Sequence, residues 1–282
     1  MKIGFSSGNL IHRDLLGNIA FSGEHGFSFI EMNAADVFAR QVRDPDYAKR
    51  LEEQLNRHGV TLTVHSALPD PRDPKKTEAF QDTVRYLYDW ILQYPGICEL
   101  LSFDTWVNRE KSLPFLLWVL DLFKDTDQLL ATEDYPLNPK DADHWKTAMD
   151  YPNYRLLMDL GHTNVRLTDT GDQQIWCLRN EGENWPLAPG DNSPEAFGHA
   201  IAKKPLPIAE VHLHNNNGLA DQHAFLSNGT ADFRSISNVL KRSGFDGLVD
   251  LEVIPHLHQQ FDADADACIL REKALWEEYW AD

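Results

Sequence analysis

Several features are scarce in this sequence, and each absence argues against a class of protein. Its 282 residues include three cysteines, Cys98, Cys177 and Cys268. Their odd number and wide spacing indicate neither a disulfide framework nor a CxxC metal knuckle. No apolar run approaches the roughly 20 residues that a membrane-spanning helix needs. The first residues lack the basic start and apolar core of a signal peptide, so we expect a cytoplasmic protein with no membrane partner.

Positive charge is also scarce. Lys and Arg number 26 against 44 Asp and Glu, which gives a formal net charge of −18. A sequence-independent grip on a phosphate backbone depends on clustered Lys and Arg. The composition therefore disfavours nucleic acid as a partner and favours a small-molecule substrate, while it leaves the formation of a homo-oligomer open.

Strand and helix patterns alternate eight times along the chain. The predicted strands cover residues 2–7, 29–33, 60–65, 98–104, 129–134, 155–162, 209–215 and 248–253. Between them, helix signals include Asp44 and Pro45 as an N-cap and first helical residue, Gly59 as a terminator, and Asp232 before a late helix. The pattern predicts one domain over residues 1–282 of class α/β, a parallel (β/α)8 TIM barrel. A doubly wound open sheet is the alternative, but SSGNLIH after strand one does not match its GxGxxG turn.

The seventh predicted strand and its loop carry the densest group of metal-ligand residue types. His212 and His214 are two residues apart on the strand, so their imidazoles point to one side. The NNNG run then breaks the strand, and Asp221 and His223 follow in a loop. Imidazoles and carboxylates are the ligands that first-row metals prefer. A polar strand end with surface histidines is the alternative.

Other strand ends carry the same residue types. In a barrel of this kind the active site lies at the C-terminal ends of the strands. The candidates there are His65, Asp104, Glu133, Asp159, His162, His212, His214 and Glu252, with Asp221 and His223 on the seventh loop. A carboxylate after a strand is often the N-cap of the next helix, which is the alternative for Asp104 and Asp134. The residues from strands five to eight could enclose one divalent cation.

Taken together, these motifs resemble those of the xylose isomerase-like TIM barrels. That superfamily joins sugar and sugar-phosphate isomerases and epimerases with endonuclease IV. The matching pieces, in the family order, are VTLTVH with His65, ATED with Glu133, MDLGH with Asp159 and His162, VHLHNNNG with His212, DQH with Asp221 and His223, and DLEV with Glu252.

On the isomerase side, the resemblance implies a single-metal set. The implied ligands are Glu133, Asp159, His212 and Glu252, with Mn, Zn, Mg or Co as the metal. Glu133 and Glu252 are also the implied acid and base, and His162 is then a substrate ligand. Two carboxylates on opposite sides of a bound sugar can remove and return a proton while a metal polarises the adjacent carbonyl. The implied activity is a metal-dependent isomerase or epimerase of a sugar or related hydroxy-carbonyl compound.

On the endonuclease IV side, the resemblance implies up to three metal ions and hydrolysis of a phosphodiester in a small molecule or nucleic acid. The implied ligands are His65 and Glu133 for the first metal, Glu133, Asp159, His212 and Glu252 for the second, and His162, Asp221 and His223 for the third. The sequence departs from that pattern twice. Phe103-Asp104 stands where a histidine is expected at the end of strand four, with Asp104 as a possible replacement ligand, and Ser227-Asn228-Gly229 stands in place of Gly-Glu-Gly. A barrel that holds a metal or ligand without turnover is the third alternative.

The connection after strand six, at about residues 163–194, is unusually long. Structureless loops beyond about 12–15 residues are usually functional or disordered. We therefore predict a loop insertion that serves as a lid, in which Trp176 or Trp185 stacks on the substrate. A surface excursion unrelated to the site is the alternative.

Overall fold

Eight parallel strands follow one another in chain order around a closed barrel. A computed structural model of the chain describes residues 1–69, 73–104, 109–133, 146–168, 192–204 and 206–282. The strands are β1 (Lys2–Ser6), β2 (Phe29–Met32), β3 (Thr61–Ala67), β4 (Cys98–Asp104), β5 (Leu129–Glu133), β6 (Tyr154–Asp159), β7 (Ile208–Leu213) and β8 (Leu248–Leu251). The predicted parallel (β/α)8 TIM barrel is confirmed, and the doubly wound open sheet is wrong.

Helices alternate with these strands. They are α1 (Leu15–Glu24), α2 (Ala35–Val42), α3 (Pro45–His58), α4 (Pro74–Gln93), α5 (Arg109–Phe123), α6 (Leu160–Thr168), α7 (Pro194–Ala202), α8 (Phe233–Arg242) and α9 (Ala263–Ala281). Short 3-10 turns cover Ser7–Asn9 and Pro255–His258. Within the described ranges, no helix is both long enough and apolar enough to cross a membrane.

The bounds of two helices follow from side-chain chemistry that the sequence displays. Asp44 caps α3 by accepting a hydrogen bond from the N–H of Asp46 at 3.0 Å, and Pro45 is the first helical residue. Gly59 ends α3 with φ of 65°, which a residue with a side chain rarely adopts. Asp232 caps α8 in the same way as Asp44 caps α3. The predicted ends of these helices are confirmed.

Tertiary contacts divide the chain into two units. The first comprises Met1–Arg13, Met158–Lys204 and Glu210–Asp282, and the second comprises Asp14–Leu157 and Pro205–Ala209. That residues 1–282 form a single domain stays a prediction.

In the first unit, β1 and β7 pair in parallel with β8. The register places His212 of β7 opposite Asp250 of β8. Trp276 of α9 is fully buried, with its ring 6.5 Å from that of Phe233 of α8 in an edge-to-face arrangement. Large aromatic side chains contribute much of the burial energy of a core. This packing supports the strands whose ends carry the predicted ligands.

In the second unit, β2 to β5 pair in parallel, and β5 continues the ladder to Tyr154–Leu157 of β6. The register places Asp104 at the end of β4 opposite Glu133 at the end of β5. Phe38 of α2 packs edge-to-face on Trp90 of α4, with ring centroids 5.1 Å apart. The ends of β4 and β5 therefore lie side by side.

The predicted end of strand six is wrong. β6 ends at Asp159, three residues before the predicted end at His162, because the Asp159 carboxylate accepts a hydrogen bond from the N–H of His162 and starts α6. The first residues of the predicted loop insertion, 163–168, are helical. Residues 169–191 lie outside the described residues, so the rest of that prediction stays untested.

Candidate metal centre

Seven metal-ligand side chains of the first unit lie together where strands end. They are Asp159 at the end of β6, His162 in the first turn of α6, His212 in β7, His214 just after β7, Asp221 and His223 on the following loop, and Glu252 just after β8. We call them the seven-donor cluster. All seven were predicted from the sequence as candidate metal or substrate residues, and the contacts below join them into one network.

Asp159 lies at the buried centre of the cluster. Its Oδ1 accepts a hydrogen bond from the backbone N–H of His162 at 2.6 Å. Its Oδ2 lies 3.0 Å from Nε2 of His214 and 3.9 Å from Nδ1 of His212. The junction of β6 and α6 therefore fixes one carboxylate oxygen, while imidazoles approach the other.

Glu252 pairs with His212 across the ends of β7 and β8. Nδ1 of His212 lies 3.1 Å from Oε2 of Glu252. The ladder continues to this point, since the N–H of Glu252 donates to the carbonyl of Leu213 at 3.0 Å. Burial by itself would raise the pKa of Glu252, but charges on His212 and His223 lower it to about 2. Glu252 is therefore ionised at neutral pH, as both metal ligation and general-base catalysis require.

Asp221 holds two imidazoles through one oxygen. Its Oδ2 lies 3.2 Å from Nε2 of His162 and 3.1 Å from Nε2 of His223. An ionised carboxylate only accepts hydrogen bonds, so both nitrogens donate. Burial by itself would raise the pKa of Asp221, but charges on His223, His162 and His214 hold it well below its ordinary value. Asp221 therefore carries a negative charge among three imidazoles.

The backbone of His223 is held in an unusual conformation. Its φ of 46° lies in the left-handed region, which is uncommon for residues other than glycine. Its carbonyl accepts hydrogen bonds from the N–H of Ile254 at 3.0 Å and from Nε2 of His258 at 3.3 Å, and its own Nδ1 donates to the carbonyl of Glu252 at 2.8 Å. Burial would lower the pKa of His223, but Asp221 and Glu252 raise it to about 10. Both nitrogens of this ring therefore face acceptors, Oδ2 of Asp221 and the carbonyl of Glu252.

The donor chemistry of the cluster fits a first-row divalent metal. Two sets, Asp159 with His162 and His214, and His214 with Asp221 and His223, each offer ligand atoms within 4.8 Å of one another. Mixed imidazole and carboxylate ligands suit zinc, manganese and cobalt. Such a concentration of buried ionisable groups is costly unless the groups are paired or bind a cation. These residues could therefore hold the divalent cofactor predicted from the sequence.

Amide side chains of the NNNG run hold the loop that follows β7. The side-chain amide of Asn215 donates to the carbonyl of Leu226 at 2.7 Å, and its oxygen accepts from the N–H of Ala231 at 3.1 Å. The side-chain amide of Asn216 donates to the carbonyl of Gly161 at 2.8 Å. Both asparagines are buried. The run that predicts a strand break thus also fixes the loop carrying two of the predicted ligands.

In the second unit, His65 contacts Glu133. Nε2 of His65 lies 3.1 Å from Oε2 of Glu133, and its Nδ1 lies 2.9 Å from the hydroxyl of Ser102. The three residues come from the neighbouring strands β3, β4 and β5. Glu133 is buried, as expected of a ligand or acid/base group. The ligand set Glu133, Asp159, His212 and Glu252 stays a prediction, since its members are divided between the two units.

Three other predicted residues are not tested by the structure. Asp104 is the last residue of β4, and its carbonyl accepts a hydrogen bond from the N–H of Leu68 at 3.0 Å. Its role as a metal ligand or as an N-cap stays a prediction. Trp176 and Trp185 lie outside the described residues, so their role in a lid stays a prediction as well.

Three contributors to the cluster were not predicted from the sequence. Gly161 leaves room for an imidazole, because a Cβ there would lie 2.0 Å from Cε1 of His214. Asn216 and His258 support the loop through the hydrogen bonds given above. The glycine of MDLGH carried a usable signal, since a conformationally costly residue next to a ligand often marks a close approach. We find no such signal for His258.

Comparison with known proteins places the fold but leaves the reaction open. No family model matches the chain. An uncharacterised protein of Methanocaldococcus jannaschii is 22% identical over 272 residues, which cover 89% of this chain and 83% of the relative.

Solved structures resemble the chain over almost its whole length. D-psicose 3-epimerase of Clostridium cellulolyticum H10, crystallised with D-tagatose, has a TM-score of 0.66 at 14% identity and covers 99% of both chains. The IolI protein with a bound zinc atom has a TM-score of 0.68 at 15% identity and covers 100% of both. A xylose isomerase domain protein of Alicyclobacillus acidocaldarius has a TM-score of 0.64 at 14% identity and covers 100% of this chain and 98% of its own. The chain therefore has the fold of the xylose isomerase-like TIM barrels, as its motifs predict.

Proposed function

We propose that the protein is a divalent-metal-dependent isomerase or epimerase acting on a sugar or a related small hydroxy-carbonyl compound. The observation that carries this proposal is the contact of His212 with both Glu252 and Asp159, which joins three of the four predicted ligands at the ends of consecutive strands. The similar structures include a sugar epimerase and a zinc-binding protein, which supports this class of activity and a metal cofactor.

As the resemblance implies, Glu133, Asp159, His212 and Glu252 would hold the metal. When bound, a divalent metal supplies Lewis-acid polarisation of a substrate carbonyl. Glu252 is the first proposed acid/base group, because its carboxylate lies beside His212 at the end of β8 and can take a proton from the carbon next to that carbonyl. Glu133 is the second acid/base group, and its buried contact with His65 holds the carboxylate in place.

His162 is proposed as a substrate ligand. Its Nε2 is shared with Asp221 at 3.2 Å, so its ring is already oriented by a carboxylate before a substrate binds. A histidine held in this way can exchange that hydrogen bond for one to a substrate hydroxyl. The strongly negative net charge of the chain supports a small-molecule substrate and disfavours nucleic acid.

A specific observation favours a second candidate, a multi-metal phosphodiester hydrolase. Nε2 of His162 and Nε2 of His223 both lie within 3.2 Å of Oδ2 of Asp221, which brings together the three implied ligands of a further metal. Several metals would suit hydrolysis by generating hydroxide and neutralising both attacking and leaving oxygens. This hydrolase is the second candidate for two reasons. Phe103-Asp104 replaces the expected histidine at the end of β4, and the net charge of −18 disfavours nucleic acid as a substrate.

The test combines metal stoichiometry with turnover. We expect protein purified without chelator to hold one divalent metal per chain by elemental analysis, and to interconvert members of a ketose panel that includes D-tagatose and D-psicose. Glu252→Gln should lower kcat by about 10²–10⁴-fold, since it removes an acid/base group. Glu53→Gln, on the exposed face of α3, is the matched control and should leave kcat unchanged.

Other outcomes would overturn the proposal. Two or three metals per chain, lost together in His223→Ala, with cleavage of a phosphodiester panel, would establish the hydrolase instead. A fully metallated protein that turns over neither panel would indicate the non-catalytic barrel. Unchanged ketose turnover in both Glu252→Gln and Glu133→Gln would show that these glutamates are not the acid and base.

A further inference from the structure

We infer that His214 is a positioning residue that fixes the carboxylate of Asp159 in the proposed metal site. This inference rests on the proposed function, because the role it assigns is directed toward the metal proposed there. The sequence identified His214 only as an additional metal or substrate residue. Its surroundings distinguish a hydrogen-bond donor from a metal ligand.

Nε2 of His214 faces two carboxylates. It lies 3.0 Å from Oδ2 of Asp159 and 3.5 Å from Oδ1 of Asp221, and the imidazole is fully buried. Since ionised carboxylates only accept hydrogen bonds, this nitrogen carries a proton and donates it toward Asp159. Nε2 is thus engaged by the carboxylate that we propose as a metal ligand, and we assign it to the orientation of Asp159.

The start of α6 lies against the ring. A Cβ added to Gly161 would lie 2.0 Å from Cε1, 2.3 Å from Nδ1 and 2.5 Å from Nε2 of His214, so the ring approaches the chain at Gly161 more closely than any side chain there would allow. Nδ1 is buried and has no hydrogen-bond partner among the described residues. The hydrogen bond from Nε2 to Asp159 is therefore the one that sets the direction of the ring.

Two further imidazoles pack against the ring. The His214 ring stacks on that of His223, with centroids 4.1 Å apart and planes inclined by 23°. The His162 and His214 rings meet edge-to-face, with centroids 5.7 Å apart. A ring packed against His223, His162 and the start of α6 presents its donor to Asp159 in a constant direction. Such hydrogen bonds to a ligating carboxylate typically change metal affinity by about 10–100-fold when removed.

The experiment compares two substitutions of His214. His214→Gln keeps an N–H donor at a similar distance from the backbone, whereas His214→Leu keeps volume without a donor. Binding of Co²⁺ is measured by calorimetry, the visible absorption spectrum of the Co²⁺ protein is recorded, and circular dichroism checks the fold. The control is His199→Leu, on the exposed face of α7.

We expect His214→Leu to weaken Co²⁺ binding by about 10–100-fold and to alter the absorption spectrum. His214→Gln should stay within a few-fold of the wild type, and His199→Leu should match it. Folded His214→Leu with wild-type affinity and spectrum would overturn the inference. Equal losses in the folded Gln and Leu variants would also overturn it, because His214 would then be a ligand. If His214→Leu does not fold, the test rests on His214→Gln. Co²⁺ affinity near that of the wild type would support a hydrogen-bond donor to Asp159, and loss of Co²⁺ affinity would overturn that role.

Asp159→Asn separates this inference from the proposed function. If it loses Co²⁺ while folded His214→Leu does not, only the role of His214 is wrong. If the wild type binds no Co²⁺, or Asp159→Asn binds it as the wild type does, the proposed metal site is wrong and the inference falls with it.

Discussion

Gly161→Ala should destabilise the protein by forcing His214 out of place. The added methyl carbon would lie 2.0 Å from Cε1, 2.3 Å from Nδ1 and 2.5 Å from Nε2 of a fully buried imidazole. Carbon atoms in contact prefer separations of about 3.5–4.0 Å, so the ring must move by more than an ångström. The ring has little freedom to do so, because His223 stacks on its face.

Two opposing terms set the expected magnitude. Overpacking of a buried site costs about 1–3 kcal/mol, whereas Gly→Ala within a helix gains about 0.5–1 kcal/mol. The free energy of unfolding should therefore fall by about 1–2 kcal/mol, which corresponds to a decrease in Tm of about 2–8 °C for a chain of this size. The hydrogen bond from His214 to Asp159 should be lost in the same variant.

Gly198→Ala provides the matched control. Gly198 lies in α7, and a Cβ there would meet nothing closer than Cγ1 of Val239 at 3.6 Å, an ordinary contact. This substitution should leave Tm unchanged or raise it. A double variant, Gly161→Ala with His214→Ala, removes the clash, so the two changes should show a coupling energy of about 0.5–3 kcal/mol. Calorimetry or thermal circular dichroism measures the wild type, the three single variants and the double variant.

The reasoning would be refuted if Gly161→Ala unfolded at the same temperature as Gly198→Ala, or if the effects of Gly161→Ala and His214→Ala were simply additive. Either result would mean that the position of the His214 ring does not require a residue without a side chain at position 161.

Two further predictions concern the supports of the cluster. Asn216→Ala removes the hydrogen bond that Asn216 donates to the carbonyl of Gly161 and the one that it accepts from the side-chain amide of Asn164, so urea unfolding should show a loss of about 1–3 kcal/mol. The control is Asn238→Ala, at a partly exposed position of α8 where the side chain bonds only the carbonyl of Arg234 one turn earlier, and it should stay within about 0.5 kcal/mol of the wild type. Equal effects of the two substitutions would contradict this expectation. Burial raises the pKa of Glu272, so its carboxyl binds a proton more tightly in the folded state than in the unfolded state. The contribution of this carboxyl to the free energy of unfolding therefore falls as the pH rises from 4.5 through the raised pKa. Glu272→Gln can still accept from the N–H of Leu226, and its stability relative to the wild type should therefore increase over that rise; a pH-independent difference in urea unfolding would contradict this sign.

Much of the fold could be predicted because its signals are local. Asp44, Pro45 and Gly59 determine the ends of α3 through capping and a left-handed turn, and both depend on residues within a few positions. Eight alternations of strand and helix then allow few architectures other than a closed barrel. The predicted end of β6 is wrong because the carboxylate of Asp159, the last residue of the strand, also caps α6, and the strand pattern does not show this second role.

The site residues could be predicted where they end a strand and not where they support one. His212 and Glu252 stand at strand ends, so topology alone indicates a common location. Ser102 hydrogen-bonds His65 from within β4, and its sequence context is that of an ordinary strand residue. His258 supports His223 from a 3-10 turn 35 positions along the chain. Such contacts depend on tertiary packing, which no local pattern encodes.

Asp159 connects the folding of the chain with the chemistry proposed for it. One of its oxygens satisfies the N–H of His162 at the start of α6, which would otherwise lack an intrahelical partner. The other faces the imidazoles of His212 and His214. Because both oxygens belong to one rigid carboxylate, formation of the first turn of α6 also sets the direction in which Asp159 can meet a metal. Gly161 lies in that same turn and admits His214. A single turn of helix therefore orients Asp159, His214 and His162, to which we assign the roles of metal ligand, positioning residue and substrate ligand.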